Sequence, residues 1–106
     1  MAELAAQPTL PQLQQYMGAV CQERGWTQDN DAEKFLLFTE EVGELAKAIR
    51  KTRGLYQEDA RQNTLNLEEE FADVLSYLLD LANSFHVDLE QAFRAKEAIN
   101  ATRTWS

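Results

Sequence analysis

The chain has 106 residues, a formal net charge of −8 at pH 7 and a single cysteine, Cys21. A length near that of an ordinary domain predicts one domain over residues 1–106, whose small core favours self-association. The acidic balance argues against binding a nucleic-acid polymer, which clustered Lys and Arg would hold. No stretch has the length of a membrane span or the pattern of a signal peptide. We therefore expect a soluble cytoplasmic protein without membrane contact, with Cys21 as a reduced packing residue.

Hydrophobic spacing and capping signals predict four helices and no strand. Apolar residues in these segments recur at intervals of three and four, as on one face of a helix. Gly25 and Gly54 follow the first two segments and are suited to end them. The expected helices span about 9–24, 30–53, 66–85 and 88–102.

Three of these helices begin with capping-box spacing, in which a polar cap is followed three residues later by Glu or Gln. The one long connection, residues 54–65, is a candidate for a helical turn and a lid. The sequence thus predicts an all-α, four-helix bundle-like fold in which the second and third helices contribute most of the core. The capping pairs are Asn30 with Glu33, Asn66 with Glu69, and Asp88 with Gln91.

The second helix carries three glutamates beside its apolar face. At about 100° per residue, the apolar arc covers roughly 100° of the helix. Glu41 borders this arc, and Glu44 and Glu40 continue the acidic strip away from it. Repulsion between glutamates at these spacings destabilises a helix unless something compensates. The residues of the apolar arc, which we expect in the core, are Phe35, Phe38, Val42, Leu45, Ala46 and Ile49.

The third helix repeats this arrangement. Glu70 borders a broad apolar face, with Asp73 and Tyr77 beside it. If the two helices pack antiparallel, their acidic edges meet, and Glu41 and Glu44 join the acids of the third helix. Four carboxylates at the edge of a core repel one another unless some are protonated or a cation joins them. Oxygen ligands favour Mg²⁺, and the absence of His and Cys from both stretches argues against zinc.

A solvated acidic surface is the simpler interpretation of each stretch taken alone. Glutamate-rich helices are common, and the run from Glu68 to Glu70 is favourable charge at a helix N-terminus. A surface that is merely solvated gives no reason for two acidic pairs at i, i+3 to lie at the edges of two apolar faces. The pairing therefore favours the metal site.

The two acidic stretches resemble those of a known family. "EEVGE" at 40–44 and "EFAD" at 70–73 are similar to the ExxE and ExxD motifs of MazG-like all-α nucleoside triphosphate pyrophosphohydrolases, and the resemblance covers about residues 25–103. It implies a MazG-type fold that oligomerises through its helices, as a homodimer or homotetramer. It also implies Mg²⁺-dependent hydrolysis of (deoxy)nucleoside triphosphates to monophosphate and pyrophosphate, which clears unwanted nucleotides, with Mn²⁺ able to substitute.

The resemblance assigns roles to the acidic residues. It implies that Glu41, Glu44, Glu70 and Asp73 are the Mg²⁺ ligands. Glu40 matches an additional leading glutamate that positions or deprotonates the attacking water, so Glu40 and Glu41 are the candidate catalytic residues. The charge of the metal would also let a net-acidic protein bind an acidic substrate.

Two aromatic residues resemble substrate contacts of the family. Trp26 lies in "RGWTQDND", before the metal helix, where an aromatic ring stacks on the base. Tyr77, one turn after Asp73, resembles a tyrosine near the substrate. The alternatives are that Trp26 caps the bundle and that Tyr77 is a tyrosine at the edge of the core.

Four further residues are candidate substrate contacts. On the fourth helix, Lys96, Asn100 and Arg103 lie within about 60° of one another, which suits phosphate binding, and they resemble a Lys and Asn segment of the family. The ending "NATRTWS" departs from the family's Lys-Tyr-Pro ending and leaves the role of Arg103 open. Lys47, near the acidic strip, can reach phosphates or pair with acids on its own helix surface.

Two other functions fit the same residues. A phosphoribosyl-ATP pyrophosphohydrolase has similar acidic helices, and turnover of deoxynucleotides without phosphoribosyl-ATP activity would exclude it. A non-enzymatic helical interaction module could instead use the acidic strips to bind a partner. Pyrophosphate release that depends on the carboxylates would exclude this second alternative.

Overall fold

The computed structural model describes residues 1–26, 29–54 and 63–103, without the side chains of 63–65. These ranges form four α-helices and contain no strand, which confirms the all-α prediction. Most of the predicted lid at 54–65 and the last three residues of the chain lie outside the described residues. Among the described helices, none combines the length and the apolar character needed to cross a bilayer. The helices are α1 (Leu10–Glu23), α2 (Asp31–Thr52), α3 (Asn63–Ser84) and α4 (Leu89–Ala101).

Two of the predicted capping pairs start helices as expected. The side chain of Asn30 accepts a hydrogen bond from the backbone N–H of Glu33 at 2.9 Å, at the start of α2. Asp88 accepts from the N–H of Gln91 at 3.0 Å, at the start of α4. Each bond satisfies a backbone donor that has no partner within the helix, which fixes the residue at which the helix begins.

The predicted start of the third helix at Asn66 is wrong. α3 begins at Asn63, about one turn earlier, so Asn66 and Glu69 both lie inside the helix. An interior Asn costs a helix less than about 1 kcal/mol, a penalty that an additional hydrogen-bonded turn can outweigh. Asn66 and Glu69 therefore have the spacing of a capping box but lie within the helix and do not start it.

The end of α1 holds Trp26 in a fixed place. Gly25 has φ +72°, in the left-handed region that an L side chain rarely adopts. The N–H of Trp26 donates to the carbonyl of Cys21 at 2.7 Å, and that of Gly25 donates to Gln22 at 3.3 Å, which together form a Schellman motif. The predicted stop at Gly25 is confirmed, and the motif attaches Trp26 to the helix end.

Helices α2 and α3 form the most extensive interface in the chain, and they run antiparallel. Lys34, near the start of α2, bonds to Asp80 and Ser84, near the end of α3. Further along α2, Glu41 approaches Glu70 of α3. This order confirms the antiparallel packing expected from the sequence.

The core differs from the predicted one. On α2, Ala48 is buried and Glu41, which faces α3, is half-buried. The exposed residues of the predicted arc are Phe35, Val42, Ala46 and Ile49. The apolar arc is wider than one neighbouring helix can cover, and α3 packs at its acidic border. Among the residues that the structure describes, the buried hydrophobic side chains are Val20, Cys21, Ala48, Leu79 and Ala82.

Large apolar side chains are consequently exposed along both central helices. A scattered apolar residue on a surface needs no explanation, but a series along two adjacent helices is unusual for a monomer. We call these residues the apolar series. They are Phe35, Val42 and Ile49 of α2, and Phe71, Leu75, Leu78 and Phe85 of α3.

A buried glutamine joins α1 to the other end of the fold. Gln14 donates to the side-chain oxygen of Asn83 at 3.1 Å and to the carbonyl of Val87 at 2.9 Å. Its side-chain oxygen accepts from the N–H of Leu89 at 2.9 Å, the first residue of α4. All three partners lie at the α3–α4 junction, so this one side chain fixes that junction against α1.

We expect Gln14→Leu to destabilise the protein by about 2 kcal/mol, because it leaves buried polar partners without hydrogen bonds. Urea unfolding followed by circular dichroism measures the change. Gln15→Leu, at an exposed neighbouring position, is the matched control and should change stability by less than about 0.5 kcal/mol. Equal effects of the two substitutions would contradict the role given to Gln14.

Candidate active site

Three carboxylates meet at the α2–α3 interface. One oxygen from each of Glu41, Glu70 and Asp73 lies within 4.8 Å of the other two. α2 supplies the first of these residues, and α3 supplies the other two from adjacent turns. Glu41 and Glu70 are half-buried and Asp73 is exposed, so the group opens to solvent on one side.

The negative charges of this group are close together and partly buried, an arrangement that a bound cation would stabilise. Burial raises the pKa of Glu41, and the charges of Asp73 and Glu70, followed by those of Glu40 and Glu44, raise it further. The Oε2 atom of Glu70 is buried and has no hydrogen-bond partner within the described part of the chain. An unpartnered buried carboxylate oxygen is costly. A metal ion would provide its partner and offset the repulsion, so the three residues fit a metal that prefers oxygen ligands.

Two predicted site residues lie beside the three-carboxylate group without joining it. Glu40 and Glu44 are exposed on α2, but their charges act on Glu41 and contribute to its raised pKa. Glu44 follows Glu41 by three residues, on the next turn of the same side of the helix. The roles of Glu44 as a ligand and Glu40 as a base stay predictions.

A cavity of about 520 Å³ opens next to this group. Asp73 and Tyr77 line it at the end shared with the carboxylates, and Lys34 and Asp80 line it from opposite helices. Most of the remaining wall comes from α1 and from the connection to α2, including Trp26, and Leu37 and Ser76 complete it. The volume falls within the range typical of small-molecule sites.

Tyr77 lies between the carboxylates and the cavity. Burial raises the pKa of its hydroxyl, and the charges of Glu41, Asp73, Glu40 and Asp29 raise it further. The hydroxyl therefore stays protonated at neutral pH and can donate a hydrogen bond at this junction.

Trp26 also lies where the sequence predicted a contact. Its side chain is 52% exposed and lines the cavity. The guanidinium carbon of Arg24 lies 5.0 Å from the ring centroid, a cation–π contact that helps to orient the indole. The ring is an available surface for stacking at the cavity wall.

Among the described residues, none of the predicted basic contacts lines the cavity. Lys47 is exposed on α2, and Lys96 and Arg103 are exposed near the end of the chain. Asn100 is half-buried on α4, which packs mainly against α1. Within the described residues, none of α4 lines the cavity.

The family model for the MazG nucleotide pyrophosphohydrolase domain matches residues 32–102, which include the three-carboxylate group and both Glu40 and Glu44. The chain belongs to the MazG nucleotide pyrophosphohydrolase domain family. It is 36% identical over 101 residues to a dCTP pyrophosphatase 1 from Mus musculus and 37% identical over 101 residues to that of Homo sapiens. Each match covers 92% of this chain and 59% of the relative.

A phage protein is a further relative of this MazG-family chain. The dATP/dGTP diphosphohydrolase of Cyanophage S-2L is 41% identical over 64 residues, which cover 60% of this chain and 57% of the relative. The chain thus spans less than two thirds of the length of each of these curated relatives.

Several charged residues that line the cavity of the MazG-family chain were not predicted from the sequence, and two of them lie opposite each other on α2 and α3. Lys34 and Asp80 form an ion pair across the α2–α3 interface. Lys34 precedes Glu41 by seven residues and Asp80 follows Asp73 by seven. Seven residues are about two helical turns, so in an antiparallel pair these positions face each other. The sequence signal for this pair is its spacing, since Lys34 and Asp80 each lie two helical turns from an acidic residue of the predicted site.

Glu41→Gln is expected to raise the melting temperature of the metal-free protein at neutral pH. Because the pKa of Glu41 is raised, the folded chain holds this proton more tightly than the unfolded chain does. The stability contributed by Glu41 is present below its ordinary pKa of 4.5 and is lost as pH rises through the higher folded value. Thermal unfolding in EDTA between about pH 4 and about pH 8 should show this loss in the wild type and a smaller one in the variant.

Metal addition gives the matching test. MgCl₂ or MnCl₂ should raise the melting temperature of the wild type, since a ligand that binds only the folded state stabilises it, and should raise that of Glu41→Gln much less. Glu69→Gln, at an exposed position outside the group, is the control and should respond like the wild type. An equal response of all three proteins would contradict the metal site.

Proposed function

We propose that this chain is a Mg²⁺-dependent nucleotide pyrophosphohydrolase that converts (deoxy)nucleoside triphosphates to monophosphate and pyrophosphate and so removes unwanted nucleotides. One observation carries the proposal. In a MazG-family domain, three carboxylates with an unpartnered buried oxygen lie at the end of a cavity large enough for a nucleoside. The relatives named for dCTP and for dATP/dGTP support deoxynucleotides as the substrate class, ahead of phosphoribosyl-ATP.

In the proposed reaction, some of the acidic residues bind the metal and one acts as the general base. Glu41, Glu70 and Asp73 would hold Mg²⁺, with Glu44 from the next turn of α2 as a fourth ligand and Mn²⁺ as a substitute. When bound, the metal neutralises phosphate charge and lowers the pKa of water. Glu40 lies beside Glu41, is exposed and is near enough to affect its pKa. Its carboxylate would accept the proton of the water that attacks at the bond between the α and β phosphates.

The cavity would bind the nucleoside. With the phosphates at the carboxylates, the sugar lies near Tyr77, whose protonated hydroxyl can donate to a phosphate or sugar oxygen. The base continues into the cavity, where Trp26 offers a stacking surface. Such stacking contributes about 1–3 kcal/mol per base.

Association of two or four chains would complete the site. The apolar series is exposed in the single chain and would be covered by the same surface of a second copy, as in the two-fold interfaces common among homo-oligomers. Lys96, Asn100 and Arg103 do not line the cavity of their own chain. In an oligomer, these residues and Lys47 could bind the phosphates of a substrate in a neighbouring subunit.

Removing single carboxylates should abolish activity. We expect Asp73→Ala and Glu44→Ala each to lower kcat/KM for deoxynucleoside triphosphates by at least about 100-fold, because each removes charge that holds the metal and the phosphates. Pyrophosphate release from a panel of nucleotides, with Mg²⁺ and with EDTA, measures this. Glu69→Ala is the control and should keep wild-type activity. A folded wild type that releases no pyrophosphate would support the interaction module instead, and full activity in both variants would contradict the roles given to Asp73 and Glu44.

The proposed oligomer has its own test. Phe71→Asp places a charge within the apolar series and should shift the protein to a monomer in sedimentation or light scattering, because burying an unpaired carboxylate is unfavourable. Gln15→Asp, at an exposed position on α1, should leave the mass unchanged. A wild type that is monomeric at micromolar concentration would exclude the oligomer.

A further inference from the structure

We infer that Lys34 and Asp80 determine which nucleobase the cavity accepts, and that they favour bases with an exocyclic amino group over thymine and uracil. The inference rests on the proposed function, because it takes the ligand of the cavity to be a nucleotide. It concerns the end of the cavity remote from the carboxylates.

The position of the pair fits the base rather than the phosphates. Asp80 lies seven residues beyond Asp73 on α3, which is about 10 Å along the helix axis. Both residues line the same cavity. A nucleotide whose phosphates lie at Asp73 therefore extends its sugar past Tyr77 and brings the far edge of its base to Asp80.

The pair is held firmly in the cavity wall. The Lys34 ammonium donates to Asp80 Oδ1 at 3.3 Å and to the Ser84 hydroxyl at 2.8 Å. The two charged side chains are only 13% and 17% exposed. Burial raises the pKa of the Cys21 thiol in the same wall to about 11, and the nearby charge of Asp80 raises it further, so the thiol stays protonated.

The hydrogen-bonding capacity that remains is unequal. An ammonium has three N–H donors, and within the described residues Lys34 uses two of them, which leaves one. An ionised carboxylate offers about four acceptor positions, and within the described residues the bond from Lys34 uses one of them. The pair thus offers more acceptor positions than donors.

Nucleobases differ in what they present to such a pair. Cytosine and adenine place an amino group beside a ring nitrogen that accepts, and guanine presents an amino group and a ring N–H beside its carbonyl oxygen. Each therefore offers at least two hydrogens together with an acceptor. Thymine and uracil offer one ring N–H between two carbonyl oxygens, so one of those oxygens would face the Asp80 carboxylate without a donor. A site with buried polar groups rejects a ligand that leaves them unpaired.

The comparison of dCTP with dUTP isolates this chemistry, because the two differ only at the amino edge of the base. Wild-type kcat/KM should favour dCTP by roughly tenfold or more, as expected for one hydrogen bond to a charged group. Asp80→Asn turns an amide N–H₂ toward the cavity while its oxygen keeps the bond to Lys34, so the ratio should fall by about tenfold or reverse toward dUTP. If Asp80→Asn fails to fold, Lys34→Gln/Asp80→Asn retains an uncharged hydrogen-bonded bridge and should also lower the ratio.

A purely structural role gives a different result. Loss of the ion pair would then lower activity toward both nucleotides alike and leave their ratio unchanged, which would overturn the inference. Glu90→Gln removes the exposed Glu90–Arg94 pair of α4, which is formed at 3.1 Å, and is the matched control with an unchanged ratio. A wild-type ratio near one would also overturn the inference while leaving the proposed function intact.

Binding separates the inference from the proposed activity. Calorimetry with dCMP and dUMP requires no hydrolysis. Tighter binding of dCMP that Asp80→Asn abolishes, in a protein that releases no pyrophosphate, would support the base preference and reject the activity. Equal binding of the two monophosphates would reject the base preference.

Discussion

The repulsion among Glu41, Glu70 and Asp73 is the constraint on which the rest of this structure depends. A domain of this size would ordinarily place apolar residues where its two longest helices meet. Here α2 and α3 meet at the acidic border of their apolar faces, and an oxygen of Glu70 is buried without a partner. Such an arrangement is unfavourable in the absence of a cation. Binding of a cation at this interface therefore explains why α2 and α3 pack at their acidic borders.

This orientation of the helices has two consequences. It leaves the apolar series on the surface, where a second copy of the chain could cover it. It also brings two further positions together by simple periodicity, because antiparallel helices that align Glu41 with Asp73 also align Lys34 with Asp80 two turns away. Like charges at one end of the interface and opposite charges at the other give the cavity two chemically distinct ends. The first suits metal and phosphate, and the second suits the edge of a base.

Local signals in the sequence predicted much of the fold. Asn30, Asp88 and Gly25 act through hydrogen bonds or backbone angles within a few residues of themselves, so their effect can be predicted without knowing the packing. Asn66 shows the limit of this reasoning, since its capping signal was outweighed by continuation of the helix. The acidic group was predictable because two i, i+3 motifs on antiparallel helices have few ways to meet.

Packing between helices could not be predicted in the same way. Periodicity identifies the residues that share a face, but it does not say which border of a wide face meets the neighbouring helix. For this reason Val42 and Ile49 were expected in the core and are exposed, while Ala48 is buried. The ion pair of Lys34 and Asp80 was missed for a related reason. Each residue is unremarkable on its own helix, and only the register between the helices gives the pair its place in the cavity.

Anomalous diffraction from crystals grown with Mn²⁺ tests the central claim most directly. Manganese scatters anomalously, so its position can be identified independently of the protein atoms. We predict a peak bound by oxygens of Glu41, Glu70 and Asp73, with the Oε2 atom of Glu70 among the ligands. Absence of a peak at these residues at saturating Mn²⁺, with the three carboxylates still together, would contradict it.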